Sequence, residues 1–206
     1  MEGENGLVSA IRFDCGGEGE GVDALECYII NKKTLVGMMD KCRELNQHSF
    51  HRDAIARFLA EGGRMGIYLH RGYCSVIHTV QDYYRANMDM LCSDKRHDIF
   101  PNNRPVRTRN HEEVSTYYGE NAYSRRSLVA DNCIIEGTVE NCIIFSGVHI
   151  GKGAKLSDCI IMRGTEVGGW CELKYVVADK KCSFAPGTTL TGSPKLPFII
   201  KKGSEI

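Results

Sequence analysis

The chain has 206 residues, with 26 basic side chains (Lys and Arg), 26 acidic ones (Asp and Glu) and a formal net charge of zero. This length allows one or two domains, and the balanced charge gives no argument for nucleic-acid binding, which favours a basic face. No apolar run approaches the length of a membrane span, and the acidic, Gly-rich N-terminus lacks the charge and the apolar core of a signal peptide, so we expect a cytoplasmic protein.

The first 93 residues alternate between predicted strands and predicted helices. Strands are predicted at 7–13, 25–30, 65–69 and 73–77. Helices are predicted at 34–45, 52–60 and 83–91, the last of them after a capping box at Thr79–Asp82. Such alternation predicts an α/β region. It holds few strands for a closed three-layer domain, so we interpret it as part of a larger one.

Residues 94–116 are polar and irregular, with Pro101 and Pro105, and are predicted to be a linker. Three arginines lie within its RPVRTR segment: Arg104, Arg107 and Arg109. One interpretation is a solvated surface. The other is an anion site for a phosphorylated effector, because guanidinium groups bind phosphate with paired hydrogen bonds.

The sequence from Ser127 to Gly192 is a repeat. It divides into four rows when new rows begin at residues 142, 159 and 176. The rows read SLVADNCIIEGTVEN, CIIFSGVHIGKGAKLSD, CIIMRGTEVGGWCELKY and VVADKKCSFAPGTTLTG. Short apolar steps with Gly between them match neither an amphipathic helix nor a long alternating strand. They predict a β-helix with three short faces per turn, within residues 117–206.

Stacking the rows predicts three columns of aliphatic and aromatic side chains. The columns are Leu128, Ile143, Ile160 and Val177; Ile135, Ile150, Val167 and Phe184; and Val139, Leu156, Leu173 and Leu190. We predict that all three columns face the interior of the β-helix between Ala122 and Gly192. On that register an aspartate at Ile160 would unfold the β-helix, because an unpaired charge would be buried.

The ten cysteines include no CxxC pair, which argues against a disulfide framework or a zinc site. Cys142 shares a column of the repeat with Cys159, and Cys133 shares one with Cys182. We therefore expect packed free thiols in a reducing compartment. His48 and His51 lack a carboxylate or a cysteine at ligand spacing, so we predict neither a metal site nor a cofactor.

Several segments carry a resemblance to a known family. IGKGAK (150–155) and VGGWCE (167–172) resemble the hexapeptide of left-handed parallel β-helices. TVQDYYRANMDML (79–91), NNRPVRT (102–108) and TYYGENAYSRRSLVADNCIIEGTVENCIIFSGVHIGKGA (116–154) resemble the C-terminal half of bacterial glucose-1-phosphate adenylyltransferases. The resemblance implies part of a nucleotidyltransferase-like α/β domain at 1–93, a linker at 94–116 and a left-handed β-helix at 117–206.

The departures from the catalytic members of that family concern their functional residues. Where those members read like WRDVGT, this chain reads CSVIHT (74–79), so Val76 replaces an Asp that helps to hold the metal ion. Valine has no oxygen ligand for a hard cation. Where they read like HDFGKD, this chain has Ser49 in place of Asp, and their Glu-Lys-Pro motif is absent near 14–23. The resemblance therefore implies a regulatory subunit of the GlgD type, with no catalytic residues.

The chain also contains nothing like the family's Gly-rich nucleotide-binding loop, so we expect it to be a fragment or a truncated product. The resemblance implies a regulatory or assembly role in glycogen biosynthesis, through a catalytic adenylyltransferase subunit that makes ADP-glucose. We expect the effector that binds the arginine site to be a phosphorylated sugar. We further expect a homo-oligomer, most simply a two-fold dimer, because a partial domain leaves apolar surface exposed.

The alternative is a hexapeptide-repeat acyltransferase, which needs a general base, usually a histidine, in a cleft. His149 is the only histidine of the repeat. Its column also contains Ile134, Glu166 and Ser183, so we predict that it points outward into solvent.

Overall fold

The structure is a computed structural model that describes residues 6–13, 22–108 and 113–206. The chain divides into two compact units, Met1–Arg71 and Gly72–Ile206, and each is described by itself. The second unit joins helices to the β-helix, whereas the predicted boundary lay at 93. The assignment of 1–93 to a nucleotidyltransferase-like domain stays a prediction.

The first unit is built on helices. Helix α1 (Lys32–Glu44) begins after Asn31, whose side chain accepts a hydrogen bond from the Lys33 N–H. A π-helical segment (Phe50–Ile55) leads directly into helix α2 (Ala56–Ala60). Met38, Cys42, Ala54 and Ile55 form its small core. The helices predicted at 34–45 and 52–60 are therefore confirmed, with the second one wound partly as a π-helix.

The strands predicted at 7–13, 25–30 and 65–69 in the first unit, and at 73–77 in the second, are wrong as individual elements. Among the described residues of the first unit, the only ladder contact is an antiparallel bridge between Leu7 and Gly66. A strand is stable only when a neighbouring strand satisfies its N–H and C=O groups. The described residues around these apolar runs provide no such neighbour.

Two helices open the second unit. Helix α3 (Val80–Asp89) has the predicted capping box, in which Thr79 and Asp82 each bond the other's backbone N–H. Helix α4 (Ser93–Ile99) occupies the first residues of the predicted linker, which is a correction. Its SDKRHDI sequence has Asp94 in the first turn and Arg96 and His97 in the last, a charge order that favours a short helix.

Three five-stranded parallel sheets follow and form a parallel β-helix. The first sheet contains β1 (Tyr117–Tyr118), β4 (Ile134–Ile135), β7 (His149–Ile150), β10 (Glu166–Val167) and β13 (Ser183–Phe184). The second contains β2 (Tyr123–Arg125), β5 (Thr138–Glu140), β8 (Lys155–Ser157), β11 (Glu172–Lys174) and β14 (Thr189–Thr191). The third contains β3 (Leu128–Val129), β6 (Ile143–Ile144), β9 (Ile160–Ile161), β12 (Val176–Ala178) and β15 (Phe198–Ile200).

The predicted register of the repeat is confirmed. Ile160 pairs with Ile143 on one side and with Val177 on the other. Ile150 likewise pairs with Ile135 and Val167, and the third column pairs as predicted from Val139 to Leu190. The left-handed hexapeptide β-helix expected for this part of the chain is therefore the fold that the structure shows.

One predicted column faces the wrong way. Ile144, Ile161 and Ala178 belong to the main interior core. Their neighbours Ile160 and Val177 belong instead to a separate cluster with Tyr84 of α3. Successive side chains of a strand point to opposite faces, so the column from Leu128 to Val177 lies on the outer side of the third sheet. We call this column, extended to Ile199 of β15 by its pairing with Val177, the outer stripe.

The recurrent glycines of the repeat allow adjacent turns to stack closely. A Cβ atom on Gly168 would lie 2.6 Å from the backbone nitrogen of Pro186, one turn further along the chain. A Cβ atom on Gly151 would lie 2.7 Å from the backbone nitrogen of Gly169. A residue with a side chain at either place would force the backbones apart.

Candidate interaction surface on the β-helix

Helix α3 covers the middle of the outer stripe. Tyr84 is buried, packs against Ile160 and Val177, and donates a hydrogen bond from its hydroxyl to the backbone carbonyl of Asp158 at 2.8 Å. Burial of the phenol raises the pKa of Tyr84 far above its usual value of 10.0. The ring is therefore a neutral anchor that holds α3 on the β-helix.

The capping box fixes the N-terminal end of the same helix. The Asp82 carboxylate accepts hydrogen bonds from the Thr79 hydroxyl at 2.8 Å and from the Thr79 N–H at 3.0 Å. These bonds, led by that from the hydroxyl, lower the pKa of Asp82 below its ordinary value. They also set the path by which residues 77–79 enter α3 beside the outer stripe.

The end of the outer stripe that α3 leaves open lies in a groove of about 340 Å³. Its walls are mainly apolar, with His78, Tyr83 and Asp179 as the ionisable side chains. The lining residues are Ile77, His78, Thr79, Val80, Tyr83, Met162, Val177, Asp179, Ile199 and Ile200. Such a shape suits an apolar side chain from another molecule better than a charged metabolite.

A second groove, of about 500 Å³, lies at the last turn of the β-helix. It is lined by Thr191, Gly192, Ser193, Leu196, Pro197, Phe198 and Ile199. Ile199 borders both grooves.

Of the three arginines predicted for an anion site, Arg104 and Arg107 lie among the described residues, and neither lines the two grooves described above. Arg104 and Arg107 are exposed, and neither forms an ion pair within the described part of the chain. Arg109 lies outside the described residues. The anion site at 104–109 therefore stays a prediction.

His149, the candidate base of the alternative function, lies on the outer surface, as predicted. It pairs along the ladder with Ile134 and Glu166, and its Nε2 lies 3.3 Å from a carboxylate oxygen of Glu136. Its side chain is about half exposed. Neither of the two grooves described above includes His149.

The cysteines of the repeat are buried free thiols, as predicted. Cys142 and Cys159 stack on consecutive turns in the interior, where the Cys159 N–H donates to the Cys142 sulfur at 3.3 Å. Desolvation raises the pKa of the Cys142 thiol, and the hydrogen bond with the Cys159 side chain adds to the effect. These thiols act as small core side chains rather than as nucleophiles.

The two histidines considered as a metal pair have other roles in the described structure. His51 lies between the Tyr28 hydroxyl, 3.1 Å from its Nδ1, and a Glu26 carboxylate oxygen, 2.9 Å from its Nε2. The His48 N–H donates to Asp53 at 3.2 Å. Within residues 6–13, 22–108 and 113–206, no cluster of three or more His, Cys, Asp or Glu could hold a metal ion.

Ser49 and Val76, the two positions that depart from the family motifs, lie in different surroundings. The Ser49 hydroxyl accepts a hydrogen bond from the Arg52 N–H and so caps the π-helical segment. Val76 is half exposed, next to the groove residue Ile77. Neither side chain offers a carboxylate for a metal ion.

The sequence analysis did not predict the outer stripe, although the repeat contains a pattern that indicates it. Ile143–Ile144, Ile160–Ile161 and Val176–Val177–Ala178 are runs of adjacent aliphatic residues. If only the interior of the β-helix were buried, one residue of each adjacent pair would face water and should be polar. Doubled aliphatic residues on one sheet therefore indicate that something packs on its outer face.

Comparisons with known proteins place the chain in context. Residues 112–195 match the family model described as "GlmU-like, C-terminal hexapeptide". The chain is 33% identical over 184 residues to the glycogen biosynthesis protein GlgD of Bacillus subtilis, which covers 87% of this chain and 52% of that protein. It thus spans about half of the length of GlgD.

Similarity to glucose-1-phosphate adenylyltransferases is shorter. Identity is 33% over 135 residues with the protein of Clostridium botulinum (strain Alaska E43), covering 65% of this chain and 35% of that protein. It is 34% over 133 residues with that of Fusobacterium nucleatum, covering 64% and 35%. These matches confirm the resemblance stated from the motifs. No helix among the described residues is long and apolar enough to cross a membrane.

Proposed function

We propose that this chain acts in glycogen biosynthesis as a non-catalytic regulatory or assembly subunit of a glucose-1-phosphate adenylyltransferase. The observation that carries the proposal is its similarity to GlgD, which is 33% identical over 87% of the chain, whereas the adenylyltransferase matches cover between 64% and 80% of it.

The chemistry of residues 74–79 supports a role without catalysis. The family reaction joins ATP and glucose-1-phosphate, and such transfers depend almost wholly on positioning and on metal electrostatics. Val76, at the place of the expected metal ligand, is a half-exposed apolar side chain beside an apolar groove. This segment is therefore suited to contact another protein surface rather than a magnesium–phosphate complex.

The direct test is an assay of the purified chain with ATP, glucose-1-phosphate and Mg²⁺. We expect no ADP-glucose, because the loss of one such charged group typically costs about two to three orders of magnitude in rate, and several are missing. Val76→Asp should not restore activity. Turnover above a mock purification, abolished by a chelator, would contradict the proposal.

The second half of the test adds a catalytic partner. Mixed with a glucose-1-phosphate adenylyltransferase that matches over the β-helix, the chain should bind it and change its rate or its effector response. A catalytic subunit whose sedimentation and kinetics do not change in the presence of this chain would leave the proposal without support and count against it.

Arg104, Arg107 and Arg109 are the residues we propose for binding a phosphorylated-sugar effector in such a complex. Arg107→Ala should then weaken the effector response without weakening subunit binding. Arg126→Ala, in the turn that precedes the third sheet, serves as a control for the loss of one positive charge. Equal effects of the two variants would argue for a general charge effect instead of a site.

A titration with acetyl-CoA distinguishes the acyltransferase alternative from the regulatory role. The outward position of His149, outside both described grooves, leads us to expect no measurable affinity. Binding that is lost in His149→Ala would favour the alternative over the regulatory role.

A further inference from the structure

Trp170 is the single tryptophan of the sequence and is 73% exposed, at the corner between the first and second sheets. Its φ of +61° lies in the left-handed region, which a bulky side chain rarely adopts. At the same corner the turns before and after have Gly153 and Gly187, with φ of +72° and +81°. Trp170 thus combines backbone strain with apolar exposure, and strain of this kind is concentrated at functional sites.

The indole ring of Trp170 lies flat on Gly153. A Cβ atom on Gly153 would lie 2.6 Å from Cε3 of the ring and 2.8 Å from both Cδ2 and Cζ3, which are its bonded neighbours. Such similar distances place the Cβ position over the face of the ring, because an approach at the ring edge would leave the two neighbours clearly further away. One face of the indole therefore rests on the Gly153 backbone, and the opposite face is open to solvent.

A row of polar side chains on the outer face of the second sheet begins two residues after Trp170. Lys155, Glu172 and Thr189 pair along the ladder and are exposed, on strands that lie about 4.8 Å apart. We call them the polar row. The Lys155 Nζ lies 3.2 Å from a carboxylate oxygen of Glu172, so the two charges offset each other. The polar row offers hydrogen-bond donors and acceptors without an excess of charge.

We propose that Trp170 is a stacking platform for a carbohydrate chain, whose hydroxyl groups bind the polar row. A sugar ring has a face of C–H groups, and their positively polarised hydrogens match the negative face of an aromatic ring. Its hydroxyl groups both donate and accept hydrogen bonds, as the polar row does. A phosphorylated ligand fits less well, since the Glu172 carboxylate would repel it. The support from Gly153 holds the ring in place before binding, which lowers the entropy cost of association.

The kind of carbohydrate rests on the proposed function. In glycogen biosynthesis the sugar chain is an α-linked glucan, so we assign the platform to a glucan chain. The platform itself rests on the geometry of Trp170 and does not require an adenylyltransferase partner. One ring face and a few exposed hydrogen bonds provide little binding free energy, so we expect a dissociation constant of about 1 mM for a short glucan.

The single tryptophan provides the readout of the first experiment. Titration of the full chain with maltoheptaose should change the Trp170 emission saturably. The midpoint should be the same at about 0.05 M and at about 0.5 M salt, because the ligand is uncharged. ATP is the anionic comparison, since its base can also stack on the indole. Tighter binding of ATP than of maltoheptaose would overturn the proposal.

The second experiment measures retardation in native gels that contain glycogen, which does not depend on tryptophan emission. Trp170→Leu should weaken binding about tenfold, whereas Trp170→Phe, which keeps an aromatic face, should retain most of it. Glu172→Ala should weaken binding about threefold, and the loss of its exposed ion pair should cost little stability. Tyr117→Ala, at a tyrosine of the first turn that is 60% exposed, is the matched control and should bind like the wild type.

Thermal unfolding of each variant separates binding from a purely structural role, because the indole also shields the Gly153 backbone. A wild-type chain that binds neither maltoheptaose nor glycogen would overturn the proposal, as would unchanged retardation of Trp170→Leu or an equal loss in Tyr117→Ala. Both experiments use the chain without an adenylyltransferase subunit. A failure to bind glucan therefore leaves the regulatory role untouched, and a failure to affect a catalytic subunit leaves the platform untouched.

Discussion

Ile160 and Ile161 are neighbours in the chain, are both fully buried and pair in the same two ladders, yet they lie on opposite sides of one strand. Ile161 packs in the interior that the winding of the chain itself encloses. Ile160 packs on the outer stripe and is covered by Tyr84 of α3. Equal burial thus has two different origins, and the cost of losing it differs accordingly.

Interior burial in a β-helix depends on every turn, because each column is continuous from one rung to the next. Outer burial depends on a single helix, held by Tyr84 with its hydrogen bond to Asp158 and by Tyr83 and Met88, which pack against the same cluster. We therefore expect damage to the interior to spread along the solenoid, as contacts between neighbouring repeats hold such folds together. Damage to the outer stripe should stay local.

The largest effect is expected from Ile161→Asp. An unpaired carboxylate in the interior costs several kcal/mol, a large part of the 5–15 kcal/mol that stabilises a typical domain. Circular dichroism and size-exclusion chromatography should show an unfolded or aggregated β-helix. Ile161→Val, which removes one methylene and should cost about 1 kcal/mol, is the control that should remain folded.

Ile160→Asp should have a smaller and more local effect, which revises the expectation drawn from the repeat alone. The carboxylate can reach water once α3 detaches, so the β-helix should keep its fold. Amide hydrogen exchange should speed up in α3 while the strands from Ile134 to Phe184 keep their protection. Loss of protection throughout the strands would show that the two sides of the sheet are not independent.

The same two residues show how far sequence patterns reach. The rows of the repeat predict the fold and the register, because each column recurs at a fixed spacing and a slip would misplace all of them. They do not predict which column of the third sheet faces inward, because Ile160 and Ile161 are equally apolar. Which column faces outward depends on where α3 packs on the strands. That position is set by a tertiary contact between Tyr84 and Asp158, which are 74 residues apart in sequence.

The candidate surface was predictable only in part, for a related reason. The capping box of α3 is local, so Thr79 and Asp82 identify it directly. The groove joins Ile77 to Ile199, which are far apart in the chain. Exposed arginines at 104 and 107 form no recognisable cluster in the described structure, so composition alone could not decide between a site and a solvated surface.

Tyr84→Phe should weaken only the attachment of α3 to the β-helix. It keeps the ring against Ile160 and removes the hydrogen bond to the Asp158 carbonyl, at a cost of about 1 kcal/mol. Protection of α3 against amide exchange should fall by that amount, with the strands unchanged. Tyr118→Phe, at an exposed tyrosine of the first turn, is the control, and an equal loss there would argue against the anchor.

The smallest effect expected is a pH dependence confined to α3. Hydrogen bonds from the Thr79 hydroxyl and backbone lower the pKa of Asp82 in the folded state. A depressed carboxyl pKa contributes stability that is present above the unfolded value, here near the ordinary 3.8, and is lost as the pH falls through the folded value. Protection of the first turn of α3, corrected for the intrinsic pH dependence of exchange, should therefore be lower near pH 3 than near pH 6. Asp82→Asn, which cannot ionise, should lose this difference, while the interior strands should show none in either protein. A pH dependence that persists in Asp82→Asn would assign the effect to another group and remove the capping box from the explanation of how α3 is held.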